Sequence, residues 1–378
     1  DDRWVEEARL VPSDGAFGDG FGIVSLGAGR AVVGAVGHDD GCPVDFYTGK
    51  VEDCNTGAAY VFRHEDSGTP LDPSDDVWVE ETKLRASDAD EFDRFGGAVA
   101  IHGGRLLVGA PFAVGLDSGS GAAYVFRLDD NSTPGDLRDD FWAQEVKLFT
   151  SQSVPFGMFG TSVSLGAVHA VIGAFAADIA GGNSGAGYVF RLDDGETPSD
   201  PSDDFWVEQQ QLLGSDTSSG DFFGLSIALS GNWIIAGARL NDDAGNASGS
   251  AYVFRLDDCG TPADSGDDRW VQAFKFTASD ASRDDHFGSS VAIDGAMAIV
   301  GAFIDDDACP EDRFCDSGSA YVFSFDRPCV GLIDYAQLQN CFAGDEGIEP
   351  GCEGFDLNGD GKVDISDVRE FLFMLGGP

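Results

Sequence analysis

The sequence predicts an all-β chain: a five-bladed β-propeller of four-stranded antiparallel blades, followed by a small α-helical calcium-binding segment. Three recurrences carry that expectation. Tryptophan returns at Trp4, Trp78, Trp142, Trp206 and Trp270. A Phe-Gly pair returns at Phe21, Phe95, Phe159, Phe223 and Phe287, and Tyr-Val-Phe starts at Tyr60, Tyr124, Tyr188, Tyr252 and Tyr321. Most spacings are 64 residues, and self-similarity at a fixed period means one supersecondary unit repeated in space.

Each repeat holds four strand-like runs. In the second they are Ala98 to Ile101, Leu106 to Gly109, Ala122 to Phe126 and Trp142 to Leu148. Their short length, β-branched and aromatic content, and Gly or Asp breaks favour strands over helices. Four antiparallel strands make one propeller blade. The repeats occupy residues 1–326. The chain starts with a Trp strand, residues 4–10, and the repeat region ends on a Tyr-Val-Phe strand. If the Trp strand is outermost in each blade, the N-terminal one is free to complete the last blade and remove a sticky sheet edge. The same strand could instead complete the blade of a neighbouring molecule and build a polymer of subunits.

Phe95-Gly96-Gly97-Ala98-Val99 followed by Val108-Gly109-Ala110-Pro111 resembles the FG-GAP repeat, which builds the propeller of integrin α subunits and of many bacterial surface proteins. The likeness recurs in all five repeats, although only the second keeps the full Gly-Ala-Pro. It implies an extracellular propeller. Integrin-type propellers carry seven blades, so five repeats depart from that pattern.

The family's calcium hairpin is missing, and the acidic residues sit elsewhere. Asp14 and Asp19, Asp88 and Asp93, Asp216 and Asp221, and Asp280 and Asp285 precede the Phe-Gly pairs; the third repeat has Gln152 and Gly157 instead. Further acids follow the Gly-Ala pairs, notably Asp39-Asp40, Asp242-Asp243 and Asp305-Asp306-Asp307. Up-and-down strands put both loop sets on one face. Two readings stand there: oxygen ligands for calcium, or aspartates capping their own turns.

Composition shifts after Asp326. Residues 327–378 carry helical patterns and the sharpest motif of the chain, Asp356-Leu-Asn358-Gly-Asp360-Gly361-Lys362-Val-Asp364-Ile-Ser-Asp367. Oxygen donors fall at positions 1, 3, 5, 9 and 12, the Lys362 carbonyl serves position 7, and Gly361 permits the sharp turn at position 6. Calcium is therefore the expected cofactor. Asp367 in place of the usual Glu makes the segment resemble a type I dockerin. A dockerin has two such loops. Asp334 to Phe342 matches the helix that starts at Asp367, but only Asp334 remains of the loop before it.

Eight cysteines are present. Cys42 with Cys54 and Cys309 with Cys315 flank the loops that lengthen two repeats, and read as disulfides of an oxidising compartment. Cys341 with Cys352 and Cys259 with Cys329 complete the set, with their connectivity open. The chain is expected to be secreted, its export signal already removed. A net charge of −45, from 67 acidic and 22 basic residues, repels nucleic acid and anionic lipid and leaves no run for membrane insertion. No GxSxG, HExxH or P-loop pattern occurs. The expected function is therefore non-enzymatic: a calcium-binding propeller for adhesion, binding protein or glycan at the cell surface. A structural subunit of an extracellular fibre or surface layer, a homo-polymer, is the alternative. A polysaccharide hydrolase or lyase is a second one, since paired acids abound.

Overall fold

The computed structural model describes residues 6–39, 42, 54–65, 76–131, 139–152, 154–195, 203–257, 268–306 and 317–325. The chain divides into two compact units, Asp1–Arg255 with Gln272–Phe323, and Leu256–Val271 with Ser324–Pro378. Most of the second unit lies outside the described residues, including the whole of residues 327–378.

Five antiparallel sheets follow one another in chain order. The first contains β1 (Phe21–Gly27), β2 (Arg30–Ala35), β3 (Ala58–Glu65) and β4 (Val77–Leu84). The second contains β5 (Ala98–His102), β6 (Arg105–Ala110), β7 (Ala122–Asp129) and β8 (Phe141–Leu148). β9 (Ser162–Leu165), β10 (His169–Ala174), β11 (Ala186–Asp193) and β12 (Phe205–Leu212) form the third. β13 (Phe223–Ser230), β14 (Trp233–Ala238), β15 (Ser250–Asp257) and β16 (Arg269–Phe276) form the fourth. The fifth holds β17 (Phe287–Asp294), β18 (Met297–Ala302) and β19 (Ser319–Ser324), three strands among the described residues. These are the five blades and the four-strand order that the repeats predict. The predicted N-terminal strand falls partly on undescribed residues, and residues 6–10 form no strand.

Burial explains the residue types. β10 is buried along its whole length, because a neighbouring sheet covers each face; β2 is buried too, with the second blade on one face and Leu10 and Phe21 packed on the other. The outer strands β4 and β12 begin with an alternation of exposed and half-buried residues, as a sheet rim does. Tight hairpins link the first two strands: Ala28 and Gly29 both have positive φ, 52° and 68°, as a two-residue primed turn requires. A register shift recurs between the third and fourth strands at Val61/Phe62, Val125/Phe126 and Val189/Phe190, and such bulges increase the local twist.

The core lies between sheets. Val32, Ala59 and Val61 of the first blade pack with Val99, Ile101, Val108 and Tyr124 of the second. Leu107, Ala123 and Val125 of the second pack with Leu165, Ile172 and Tyr188 of the third. The Phe of each Phe-Gly pair is the anchor. Phe159 is fully buried, with its ring centroid 5.5 Å from Tyr188 and 6.0 Å from Phe190. The same pairing recurs at Phe95, Phe223 and Phe287. Each of these residues also bridges to the glycine before the third strand of the preceding blade, as in Gly121 with Phe159.

The two glycines of the motif have a shared cause. A Cβ on Gly109 would lie 1.9 Å from the carbonyl oxygen of Gly160, in the Phe-Gly pair of the next blade. Gly34 meets Gly96, Gly173 meets Gly224 and Gly237 meets Gly288 in the same way. Backbone from one blade rests directly on backbone of the next, leaving no room for a side chain.

Candidate functional site

The loops before the first strand and after the second strand of a blade come together on one face, as strand counting predicts. Phe112 N donates to Asp93 O, Leu240 N to Asp221 O and Gly37 N to Asp19 O. The acidic residues gathered there fall into three groups, each with its own chemistry.

Asp19, Asp93, Asp221 and Asp285 are buried. Each accepts a hydrogen bond from the backbone N–H three residues earlier: Ala16 at 2.6 Å, Asp90 at 2.9 Å, Ser218 at 2.8 Å and Ser282 at 2.5 Å. This is turn capping, one of the two readings above, and it holds each approach loop in shape. Burial raises the Asp93 carboxyl above the usual range. Asn241 adds a side-chain donor to Asp221 at 3.2 Å.

Asp39, Asp178 and Asp242 cap the loops after the second strand. They accept from Asn55 N at 2.8 Å, Asn183 N at 2.7 Å and Ala247 N at 2.8 Å. All three donors sit on residues with positive φ, so each aspartate fixes a left-handed turn residue.

Asp14, Asp88, Asp216 and Asp280 form the third group. Asp14 accepts from Lys83 Nζ at 2.8 Å and from the Tyr60 hydroxyl at 2.7 Å. Asp216 accepts from Lys275 at 2.5 Å and Tyr252 at 2.7 Å, and Asp88 from Lys147 at 2.6 Å. Lys275 also pairs with Asp243. Each ammonium lies over the tyrosine ring, 5.3 to 5.6 Å from its centroid. The hydrogen bonds from Lys83 and Tyr60 hold Asp14 down to about 2. At Asp88 and Asp216 burial is the largest influence and pushes upward, but the lysine and tyrosine hydrogen bonds and the lysine charge together outweigh it and leave both lowered. Burial, with the neighbouring carboxylates, raises the phenols of Tyr124 and Tyr252, which stay protonated.

The third blade lacks both charges at once. Gln152 stands for the aspartate and Gln211 for the lysine, and Gln211 donates to the Tyr188 hydroxyl at 3.0 Å. Both charges of the pair are thus absent together in that blade. Sequence reading found the aspartates but missed the lysines. The signal was available: a basic residue five positions after Trp4, Trp78, Trp142 and Trp270 (Arg9, Lys83, Lys147 and Lys275), replaced by Gln211 after Trp206 in the repeat where Gln152 replaces the aspartate.

This group also sets a pH dependence. Asp14, Asp88 and Asp216 have folded-state values below the unfolded ones, so the stabilisation is full above the ordinary value of 3.8 and disappears as pH falls through about 2 for Asp14. Asp14→Asn is expected to flatten that part of the acid-unfolding profile measured by circular dichroism, with no change of slope above pH 5 or so.

Of the residues expected to bind calcium, Asp356, Asn358, Asp360, Lys362, Asp364 and Asp367 all lie outside the described residues. So do Cys259, Cys309, Cys315, Cys329, Cys341 and Cys352. Cys42 and Cys54 form a disulfide, with Cα atoms 5.9 Å apart. Among the described residues, two groups gather three side chains of metal-ligand type. One is Asp39 with Cys42 and Cys54, whose sulfurs are already bonded to each other. The other is His64 with Glu7 at 3.1 Å and Asp76 at 3.4 Å, packed beside Trp78. Among the described residues no helix is long and apolar enough to cross a membrane.

Five face-packed antiparallel sheets, four of them four-stranded and the fifth three-stranded among the described residues, stapled by Phe-Gly and Gly-Ala glycines, define a β-propeller built of sequence repeats. Residues 4–62, 78–126, 142–190, 206–254 and 270–323 match the family described as FG-GAP repeat, and the chain belongs to that family. No curated protein matches it. Among solved structures, an exo-β-1,3-galactanase from Phanerochaete chrysosporium, determined with β-1,3-galactotriose, aligns at 8% identity and a TM-score of 0.34. The alignment covers 84% of this chain and 62% of the galactanase, so the chain spans less than two thirds of that protein.

Proposed function

We propose that this chain is a non-enzymatic, extracellular, calcium-binding propeller that binds protein or glycan at a cell surface. The observation that carries the binding reading is the approach-loop aromatics. Phe92 and Phe156 are exposed, and both hold positive φ, 67° and 57°. A bulky side chain pays a steric cost in that conformation, and such strain persists where the surroundings enforce it, often at ligand-contacting loops. Two contacts enforce it at Phe92: Asp93 caps its loop, and Phe92 N donates to Cys54 O at 2.6 Å. The result is a rigid platform that presents aromatic faces to apolar patches of a protein or to sugar C–H groups.

Calcium belongs to the C-terminal motif. Asp356, Asn358, Asp360, Asp364, Asp367 and the Lys362 carbonyl supply the hard oxygen donors that calcium favours, at loop spacing. The disulfide and the FG-GAP repeats support an extracellular location.

One experiment tests both parts. Adsorption of the labelled chain to whole cells and to immobilised polysaccharide is measured with and without chelator, beside a Phe92→Ala/Phe156→Ala variant. The double variant is expected to lose adsorption at an unchanged melting temperature. Chelation is expected to lower the melting temperature, by about 2.7 kcal/mol of stability where calcium stands at about 100 times its Kd. Adsorption indifferent to both phenylalanines defeats the binding reading. Release of reducing sugar from the polysaccharide would move the chain to the hydrolase reading.

A further inference from the structure

Two carboxylate pairs between blades each share an arginine. Arg30 Nε lies 2.8 Å from Glu81 of its own blade, and its Nη2 lies 3.6 Å from Asp140 of the next. Arg105 joins Glu145 and Asp204 in the same way. Glu7 and Asp76 occupy the same two repeat positions. Glu7 follows Trp4 by three residues, as Glu81 follows Trp78, and Asp76 stands two before Trp78, as Asp140 stands two before Trp142. Among the described residues no arginine joins this pair. The fifth-blade counterpart of Arg30 and Arg105, by hairpin register, is the uncharged Met297.

His64 stands between the two carboxylates instead. Its Nε2 lies 3.1 Å from Glu7 Oε1 and 3.4 Å from Asp76 Oδ2. The other blades carry Leu128, Leu192, Leu256 and Phe325 at this position, so an apolar residue fits it. An arginine brings five N–H donors and serves two carboxylates at once, whereas Nε2 brings at most one proton. One proton does not fully serve both. The shortfall is visible at Asp76, a side chain 13% exposed whose Oδ1 is buried and has no hydrogen-bond partner.

We propose that Glu7, His64 and Asp76 form a site for a divalent transition metal of the zinc type, which ties residues 6–10 to the first blade. An ion takes the Nε2 lone pair and both carboxylates together, which a proton does not. Zinc bonds of about 2.0–2.2 Å set tetrahedral ligand atoms roughly 3.3 Å apart, and the two observed separations bracket that value. Imidazole suits zinc, copper or nickel, whereas calcium and magnesium favour oxygen ligands. The site is therefore distinct from the C-terminal calcium motif, and it does not rest on the ligand-binding reading. Three protein ligands leave a fourth position for water, and the exposed side of Glu7 gives access to it.

The imidazole is already held for this role. His64 N donates to Gly29 O at 2.9 Å, strand register sets His64 opposite Trp78, and the two ring centroids are 5.2 Å apart. Glu7 is the mobile partner. It lies on a segment that forms no strand, so the ion fixes the N-terminal residues more than it fixes the blade.

The test uses the full chain in excess calcium, which fills oxygen-only sites, with cobalt(II) as the spectroscopic stand-in for zinc. The wild type is expected to take up one equivalent with the intense visible absorption of a four-coordinate ion, and zinc is expected to displace it. Zinc is also expected to raise the melting temperature and to slow tryptic cleavage after the exposed Arg9 at least tenfold. His64→Leu restores the residue of the other blades, and Glu7→Gln alters a half-exposed side chain, so melting curves in chelator are expected to show both folded. Each is expected to lose the absorption and the protection. A wild type that gives only the weak spectrum of a six-coordinate ion overturns the proposal and leaves a hydrogen-bonded ion pair. Binding retained by His64→Leu overturns it equally, and binding retained by Glu7→Gln removes the N-terminal segment from the site.

Discussion

Gly109→Ala is expected to be among the most damaging single-methyl changes in the chain, lowering stability by about 4 kcal/mol or more in chemical denaturation. The new Cβ would stand 1.9 Å from the Gly160 carbonyl oxygen, 2.9 Å from its carbon and 3.3 Å from its Cα. All three are backbone atoms of the next blade, so no rotamer change relieves the overlap. Gly160 is itself fixed: it has φ +94°, its N–H donates to Gly173 O at 3.0 Å, and its own Cβ position faces Ala122 O at 2.3 Å. The second and third blades would have to separate, opening the cluster of Leu107, Val125, Ile172 and Tyr188. Gly301→Ala is the internal control. Its nearest neighbour is the Ser290 hydroxyl, the mobile end of a small side chain, so the loss of stability is expected to stay near 1 kcal/mol.

The blades were legible in the sequence because each repeat meets the same environment. Fully buried β2 and β10, and the Phe159–Tyr188 pair, follow from residue types that recur in phase. Strand bounds read from the second repeat fall within three residues of the observed ones, the differences lying where Arg105 and Arg127 extend the ladder with charged residues. The loop-face aspartates were legible as a group but not in their roles. Asp14 and Lys83 are 69 residues apart, and only folding shows that the ammonium of one blade's outer strand meets the loop ahead of that blade. The ends were not legible at all. Val322 has the same residue type as Val125 and Val253, so periodicity assigns it the same burial. Burial, however, is set by what stands opposite, and the first and last members of any stack differ there from all the others. The disulfide between Cys42 and Cys54 was readable from its position in a lengthened loop.

Phe159→Ala is expected to cost about 3–5 kcal/mol, a large share of the about 5–15 kcal/mol that holds an ordinary domain folded. The ring is fully buried and contacts both aromatics of β11 edge-on or tilted, at 5.5 and 6.0 Å. Its removal loses the transfer energy of a phenyl group and leaves a cavity between Tyr188 and Phe190, which cannot collapse into it. Tyr188 is held by Gln211 through its hydroxyl, and Phe190 is fixed in the β10–β11–β12 ladder. The backbone of residue 159 gives no relief, since its N–H donates to Ser120 O at 2.9 Å and it bridges Gly121. Phe21→Ala is the informative comparison. Phe21 makes the same pairs, with Tyr60 at 5.7 Å and Phe62 at 6.2 Å, but it is only half-buried. A smaller loss is expected for it.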